Sequence, residues 1–270
     1  MFRLNCTWRR LYVLLLALVV HGLAADSGIA EDSDDEKTRR AAIAAVLQAG
    51  GHIRVAVLEP TVDRLERLSI VEINLRDAEV DNDLLTHVGN LKEVQRLDLT
   101  DARIDDLGLL AIAHLPLREL WLQGTNITDV SAVTISGIQT LDFLQLNSTT
   151  LSDEFLHSLD SLPELEDLGL RGTQVTGAGM QHLSRHPKLK KLDVYLTAVD
   201  DAGVESLSRC KTLTFLGLSK TKISSQVFEH LAKLPRLTDA DLTGNRSIST
   251  AEVLAFEAAN PRCDIEWYRK

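Results

Sequence analysis

Eight apolar triplets recur along this 270-residue chain, at steps of 24 residues with one step of 23. The first three are Ile70, Ile73 and Leu75; Val94, Leu97 and Leu99; and Leu117, Leu120 and Leu122. Leu141, Leu144 and Leu146 follow, then Leu165, Leu168 and Leu170, then Leu189, Leu192 and Val194. Leu213, Leu216 and Leu218 precede the last, Leu237, Ala240 and Leu242. Every position is apolar in a chain that is 44% hydrophobic, so the spacing is a rule and not chance. The short step has a location, because one residue is missing between Leu115 and Leu117. Self-similarity at this period means a stack of like units.

Each unit contains two shorter periods. The last two residues of a triplet are two apart, which puts them on one face of a strand. Further along, Met180 and Leu183, or Phe228 and Leu231, are three apart, the spacing of a helix face. Between them lie fixed turn positions. Three residues past the last strand residue stand Ala78, Ala102, Thr125, Thr149, Thr173, Thr197, Thr221 and Asn245. Two further on stand Val80, Ile104, Ile127, Leu151, Val175, Val199 and Ile223, with Ile248 slipped by one. Asp105, Thr128, Ser152, Thr176, Asp200, Ser224 and Ser249 then offer side-chain oxygens that cap the first turn of a helix. Ser249 and Glu252 have the spacing of a capping box. The unit is a strand, a turn and a short helix.

Such a unit cannot bury its own apolar edge, but a stack can, and the product is a solenoid. A helix is wider than a strand, so the strands take the concave side and the helices the convex side. Here the sequence resembles the leucine-rich repeat family, in the form LxxLxLxxTxIxDxGLxxL, over residues 68 to 256. The resemblance implies an α/β fold: a right-handed leucine-rich repeat solenoid, or horseshoe, with a parallel concave sheet and convex helices. One position departs from the pattern. Many family members carry Asn at the turn, where it ties carbonyls together, but here only Asn245 does so. Threonine at that position is similar to ribonuclease-inhibitor-like and F-box-associated repeats and to exported bacterial repeat proteins. The ending NPRCDIEW also resembles the terminal segment of such bacterial proteins.

The ends of a solenoid need covers. Residues 34–49 read as a helix stopped by Gly50 and Gly51, and HIRVAV reads as a first strand, so residues 34–67 are the expected N-terminal cap. Residues 257–270 are the expected C-terminal cap, with Trp267 shielding the core. Ahead of the caps, residues 1–24 carry Arg3, Arg9 and Arg10, then the apolar run LYVLLLALVV, then small residues, the order of a secretory signal peptide. Residues 25–33 are an acidic lead-in with the composition of disorder. An uncut anchor is the alternative, but the apolar run is short for a membrane span of about 20 residues. Without residues 1–24 the chain holds 26 basic and 39 acidic residues, a net of −13. That charge opposes phosphate backbones, so nucleic acid is not an expected partner, and no membrane contact is expected beyond the signal segment. Of three cysteines, Cys6 lies in the signal segment, and Cys210 falls on a buried leucine position where an unpaired thiol is expected.

The free positions between strand leucines face the concave side. Most are polar, but Trp121, Phe143, Tyr195 and Phe215 are aromatic in a chain with only 4% aromatics. Aromatics on a polar concave surface are binding anchors in waiting. Trp121 with Phe143, and Tyr195 with Phe215, are expected as neighbours, with Gly169 and Gly217 leaving floor space beside them. Gln123, Gln145, Arg171 and Asp193 are the polar candidates. No catalytic constellation, metal site or cofactor motif is evident. His182 and His186 have helical spacing, but position 186 is an apolar slot between repeats. The expected function is an exported, non-catalytic recognition module, a monomer whose concave sheet docks a protein or an extended polymer such as a glycan. The alternative is an envelope-associated scaffold tethered by an uncut N-terminal segment. An intracellular F-box-type adaptor would need a helical F-box ahead of the repeats, and residues 25–66 are too short for one.

Overall fold

The structure, a computed structural model, describes residues 34–57 and 68–267. The expected signal segment and acidic lead-in fall outside the described residues. The chain enters through α1 (Asp34–Gln48) and β1 (His52–Val57), then β2 (Leu68–Asn74). From there strands and helices alternate: α2 (Asn82–Val88), β3 (Arg96–Asp98), α3 (Asp106–Leu110), β4 (Glu119–Trp121), α4 (Ala132–Ser136) and β5 (Phe143–Gln145). Next come α5 (Asp153–Leu156), β6 (Asp167–Gly169), α6 (Met180–Leu183), β7 (Lys191–Asp193), α7 (Asp201–Leu207) and β8 (Phe215–Gly217). The chain closes with α8 (Val227–Leu231), β9 (Asp239–Asp241), α9 (Thr250–Ala259) and β10 (Asp264–Glu266). Short 3-10 turns at Asp129–Ser131 and His157–Ser161 complete the convex side.

The strands form one sheet of ten in sequence order, an open stack. From β2 to β10 every pair is parallel and in register, so Leu120, Leu144, Leu168, Leu192, Leu216, Ala240 and Ile265 form one continuous row. All lie at 8% exposure or less. The sheet departs from the expected all-parallel form at its start, where β1 pairs antiparallel with β2. Only residues 58–67 separate these two strands, and a parallel return needs a crossover of roughly a dozen residues or more. Helix α1 seats Ala42, Ile43 and Val46 on the open end of the core, and Gly50 ends it with φ +90°. At the far end Trp267 packs against the core. Cys210 and Cys263 are buried and free, so among the described residues no disulfide staples the stack.

The turn after each strand uses one conformation throughout. The residue two past the last strand leucine is left-handed in all eight units: Asp77, Asp101, Gly124, Ser148, Gly172, Leu196, Lys220 and Gly244. One residue later comes the turn threonine. In Thr125, Thr149, Thr173, Thr197 and Thr221 the hydroxyl donates to the carbonyl three residues back, at 2.6–2.7 Å. That bond stays within one repeat. Asn245 has two amide hydrogens and spans two repeats, donating to Leu242 O at 3.0 Å and Leu218 O at 2.8 Å.

On the convex side the helices are tied by carboxylates. Asp106 accepts the N–H and the hydroxyl of Thr128, at 2.8 and 2.6 Å. Asp129 does the same for Ser152, Asp153 for Thr176 and Asp201 for Ser224. Where the following cap is an aspartate, the partner changes. Asn82 donates to Asp105 at 2.7 Å, a bond that pulls the Asp105 carboxyl below its ordinary range. Gly177 stands opposite Asp200, where an added Cβ would meet the carboxylate oxygen at 2.1 Å. Two of the expected caps act one turn early. Thr176 accepts the Ala178 N–H and Ser224 the Gln226 N–H, but regular helix begins only at Met180 and Val227. In both units the capped segment is a turn that leads into the helix.

Candidate functional site

The concave face has three rows of side chains running across the strands, two contributed within the strands and one just past them. In the first row Glu72, Arg96 and Glu119 are linked by ion pairs, with Arg54 joining from β1. Phe143 interrupts this chain of charges, and Asp167 with Lys191 resumes it at 3.6 Å. Burial pushes the Asp167 carboxyl up, with Lys191 opposing the shift. Phe215 stands opposite Lys191 in register.

Trp121 in the second row leans across to Phe143 in the first, with ring centroids 4.8 Å apart and planes tilted by 46°. Both rings are half-buried on a face that is mostly polar. The expected pairing of these two holds. The expected pairing of Tyr195 with Phe215 does not, because Tyr195 lies beyond the end of β7, in the third row. There it sits between two cations. The Arg171 guanidinium is 5.9 Å from its ring centroid, and Lys220 Nζ is 5.2 Å away. Lys220 also donates to the Tyr195 hydroxyl at 2.8 Å.

The two glycines do not leave open floor. The Gln145 amide already lies over Gly169, 2.0 Å from where a Cβ would stand, and the Asp193 carboxylate lies over Gly217 at 2.7 Å. Each glycine accommodates the longer side chain of the preceding strand. Those side chains are themselves fixed. Gln145 accepts from Asn147 at 2.8 Å, and Asn147 accepts the Arg171 N–H at 2.8 Å. Asp193 accepts from the Tyr195 N–H at 3.1 Å and from Arg171 Nε at 2.6 Å, which raises the guanidinium's basicity further. Gln123, Asn147, Arg171 and Tyr195 line a shallow depression of ≈ 210 Å³ together with Ser148, Gly172 and Leu196. A second, of ≈ 250 Å³, is lined by Phe143 and the charged residues Glu119, Asp142, Glu166, Asp167, Lys190 and Lys191.

Two residues of this surface, Leu196 and Lys220, escape the strand pattern because they belong to the turn. A signal for them existed: glycine recurs at 124, 172 and 244, marking a position that needs positive φ, where leucine is out of place. A left-handed leucine costs on the order of 1–2 kcal/mol, and this one is 56% exposed. The convex side has one contrasting feature. Leu107, Leu110, Val130 and Val133 occupy matching positions of two adjacent repeats and are 59–81% exposed. Among the described residues no group of three metal-ligating side chains comes together. No described helix is long and apolar enough to cross a membrane. His186 is buried, its Nε2 3.0 Å from Leu162 O, as the apolar slot requires.

A sequence profile for the leucine-rich repeat matches residues 94–113. No curated protein sequence matches the chain. Among solved structures, internalin C2 of Listeria monocytogenes is similar over 90% of this chain and 100% of its own, with 21% identity and a TM-score of 0.59. An internalin (inlF) of the same organism has 17% identity and a TM-score of 0.51, covering 69% of this chain and 58% of its own. A leucine-rich repeat protein of Leptospira interrogans has 19% identity and a TM-score of 0.50, over 67% of this chain and 44% of that one. At these identities the likeness establishes the fold. The chain is an open leucine-rich repeat solenoid.

Proposed function

We propose that the protein is an exported, non-catalytic recognition module that binds a partner protein through its concave sheet. The observation that carries this reading is the Trp121–Phe143 pair, two touching aromatic rings set into a face of ion-paired and hydrogen-bonded polar side chains. Aromatic side chains in such surroundings are the commonest hot spots of protein interfaces. The fixed hydrogen bonds of Gln145, Asn147 and Asp193 support it further, because a rigid surface loses little freedom on binding. Solenoids present extended concave surfaces suited to a protein-sized ligand. The basic-apolar-small order of residues 1–24 supports export.

The test is a cross-linking capture from the cells that make the protein. Wild type is compared with Trp121→Ala/Phe143→Ala/Tyr195→Ala/Phe215→Ala after both are shown to fold. A partner held by the wild type and lost by the variant is the expected result. Equal capture by both would remove the concave sheet from the reading.

A further inference from the structure

We propose that the concave recognition surface extends to the rim cluster of Arg171, Tyr195, Leu196 and Lys220, and that this cluster takes an acidic side chain of a partner protein flanked by an apolar one. The inference rests on the reading of the concave sheet as a recognition surface and adds one subsite to it.

Three observations meet at this point. The first is Leu196 itself. It occupies a left-handed position that three other repeats give to glycine, at φ +55°, and it leaves more than half of its side chain in solvent. It is unfavourable for the backbone and for the exposed apolar surface, and neither is relieved within the fold. Residues held in unfavourable backbone states with no structural return concentrate at binding sites. The second is the position of Tyr195. Its ring lies against Arg171 and Lys220, its hydroxyl accepts from Lys220, and its N–H is held by Asp193. It is a preorganised aromatic beside the ≈ 210 Å³ depression. The third is charge. On the concave side Arg54, Arg96, Arg171 and Lys191 are each matched to a carboxylate. Among the described residues Lys220, like Arg76 near the other end of the sheet, forms no ion pair, and its hydrogen-bond partner is the Tyr195 hydroxyl. Asp241, opposite Gly217 in the sheet, accepts the Thr243 N–H and acts electrostatically on Arg171. An incoming carboxylate would complete Lys220, while an aliphatic or aromatic neighbour would cover Leu196 and the edge of Tyr195.

The experiment is selection of a phage-displayed library of random 12-residue peptides on the purified protein. Affinities of the enriched peptides are then measured on Leu196→Gly, Lys220→Gln and Trp121→Ala/Phe143→Ala. The expected peptides share Asp or Glu beside a large apolar residue. They lose tenfold or more on Leu196→Gly and on Lys220→Gln, whatever they lose on Trp121→Ala/Phe143→Ala, which reports on the rest of the concave sheet separately. Leu196→Gly should melt no lower than wild type, because glycine fits the left-handed turn, so its lost affinity cannot be assigned to misfolding. Enriched peptides without an acidic residue, or affinities unchanged by both rim substitutions, would overturn the subsite. Peptides that depend on Trp121 and Phe143 alone would overturn the subsite and leave the concave reading standing. Enrichment that ignores both sets of substitutions would overturn both.

Discussion

At the scale of single residues, the positions that break the repeat are the informative ones. His186 fills a slot occupied in neighbouring repeats by Leu162 and Cys210. Its Nε2 meets the Leu162 carbonyl, but its Nδ1 is buried without a partner. Burial lowers its pKa below the ordinary 6.5. The unfolded chain therefore takes up the proton first, and stability must fall as pH drops below about 6.5, until the lowered folded value is passed. The hydrogen bond to the Leu162 carbonyl and the charge of Asp160 oppose the shift without cancelling it, so the sign stands. His186→Leu should raise stability by about 1 kcal/mol, because it removes an unsatisfied buried nitrogen. It should also flatten the loss between pH 7 and 5, measured by urea unfolding at each pH. An unchanged slope would mean that another group sets the acid limit. The histidine at an apolar slot was legible in the sequence; its orphan nitrogen was not, since that depends on what packs against the ring.

At the scale of elements, the helices are too short to stand alone, since isolated helices below about 12 residues are marginal in water. Their ends are instead fixed across repeats by the aspartate that opens one helix and the cap that precedes the next. The rule is complementarity: aspartate faces serine or threonine, while asparagine or glycine faces aspartate. It follows that Thr176→Asp should destabilise more than Thr176→Ala. Aspartate is an excellent cap in isolation, but here it would stand against Asp153. We expect about 1 kcal/mol for the alanine variant and roughly twice that for aspartate, from like-charge repulsion added to the lost hydroxyl bond. Equal or better stability of Thr176→Asp in chemical unfolding would contradict the rule. The caps themselves were readable from residue type. Their partners were not identified, because the pairing joins residues 22 or 23 apart and appears only when two helices are laid side by side. The antiparallel start of the sheet was missed for a related reason. Strand character was visible in HIRVAV, but direction is set by the length of the connection.

For the whole molecule, the repeat governs nearly everything about the fold and little about the ligand. The apolar triplets fixed the eight repeat strands, their register and the core, because each triplet has only one face to bury and only its neighbours to bury it against. Leu168 sits at the centre of that continuous row, fully buried. Leu168→Asp should cost several kcal/mol by placing an unpaired charge in a core shared between repeats. The cooperative melt followed by circular dichroism should be lost or shifted far down, and an unchanged melt would sink the register. The concave surface was legible only in part. Strand alternation predicted which residues point inward, and the Trp121–Phe143 contact followed from it. The rim cluster did not, since Lys220 reaches Tyr195 from a turn one repeat away. Two surfaces now compete as the place of recognition, the concave face and the convex patch around Val133. A photo-activatable benzoylphenylalanine placed at Phe143 or at Val133, and illuminated in the cells that make the protein, separates them directly. Recognition through the concave sheet gives a discrete higher-mass adduct from position 143 and none from position 133. An adduct from position 133 alone would contradict it and move recognition to the convex side.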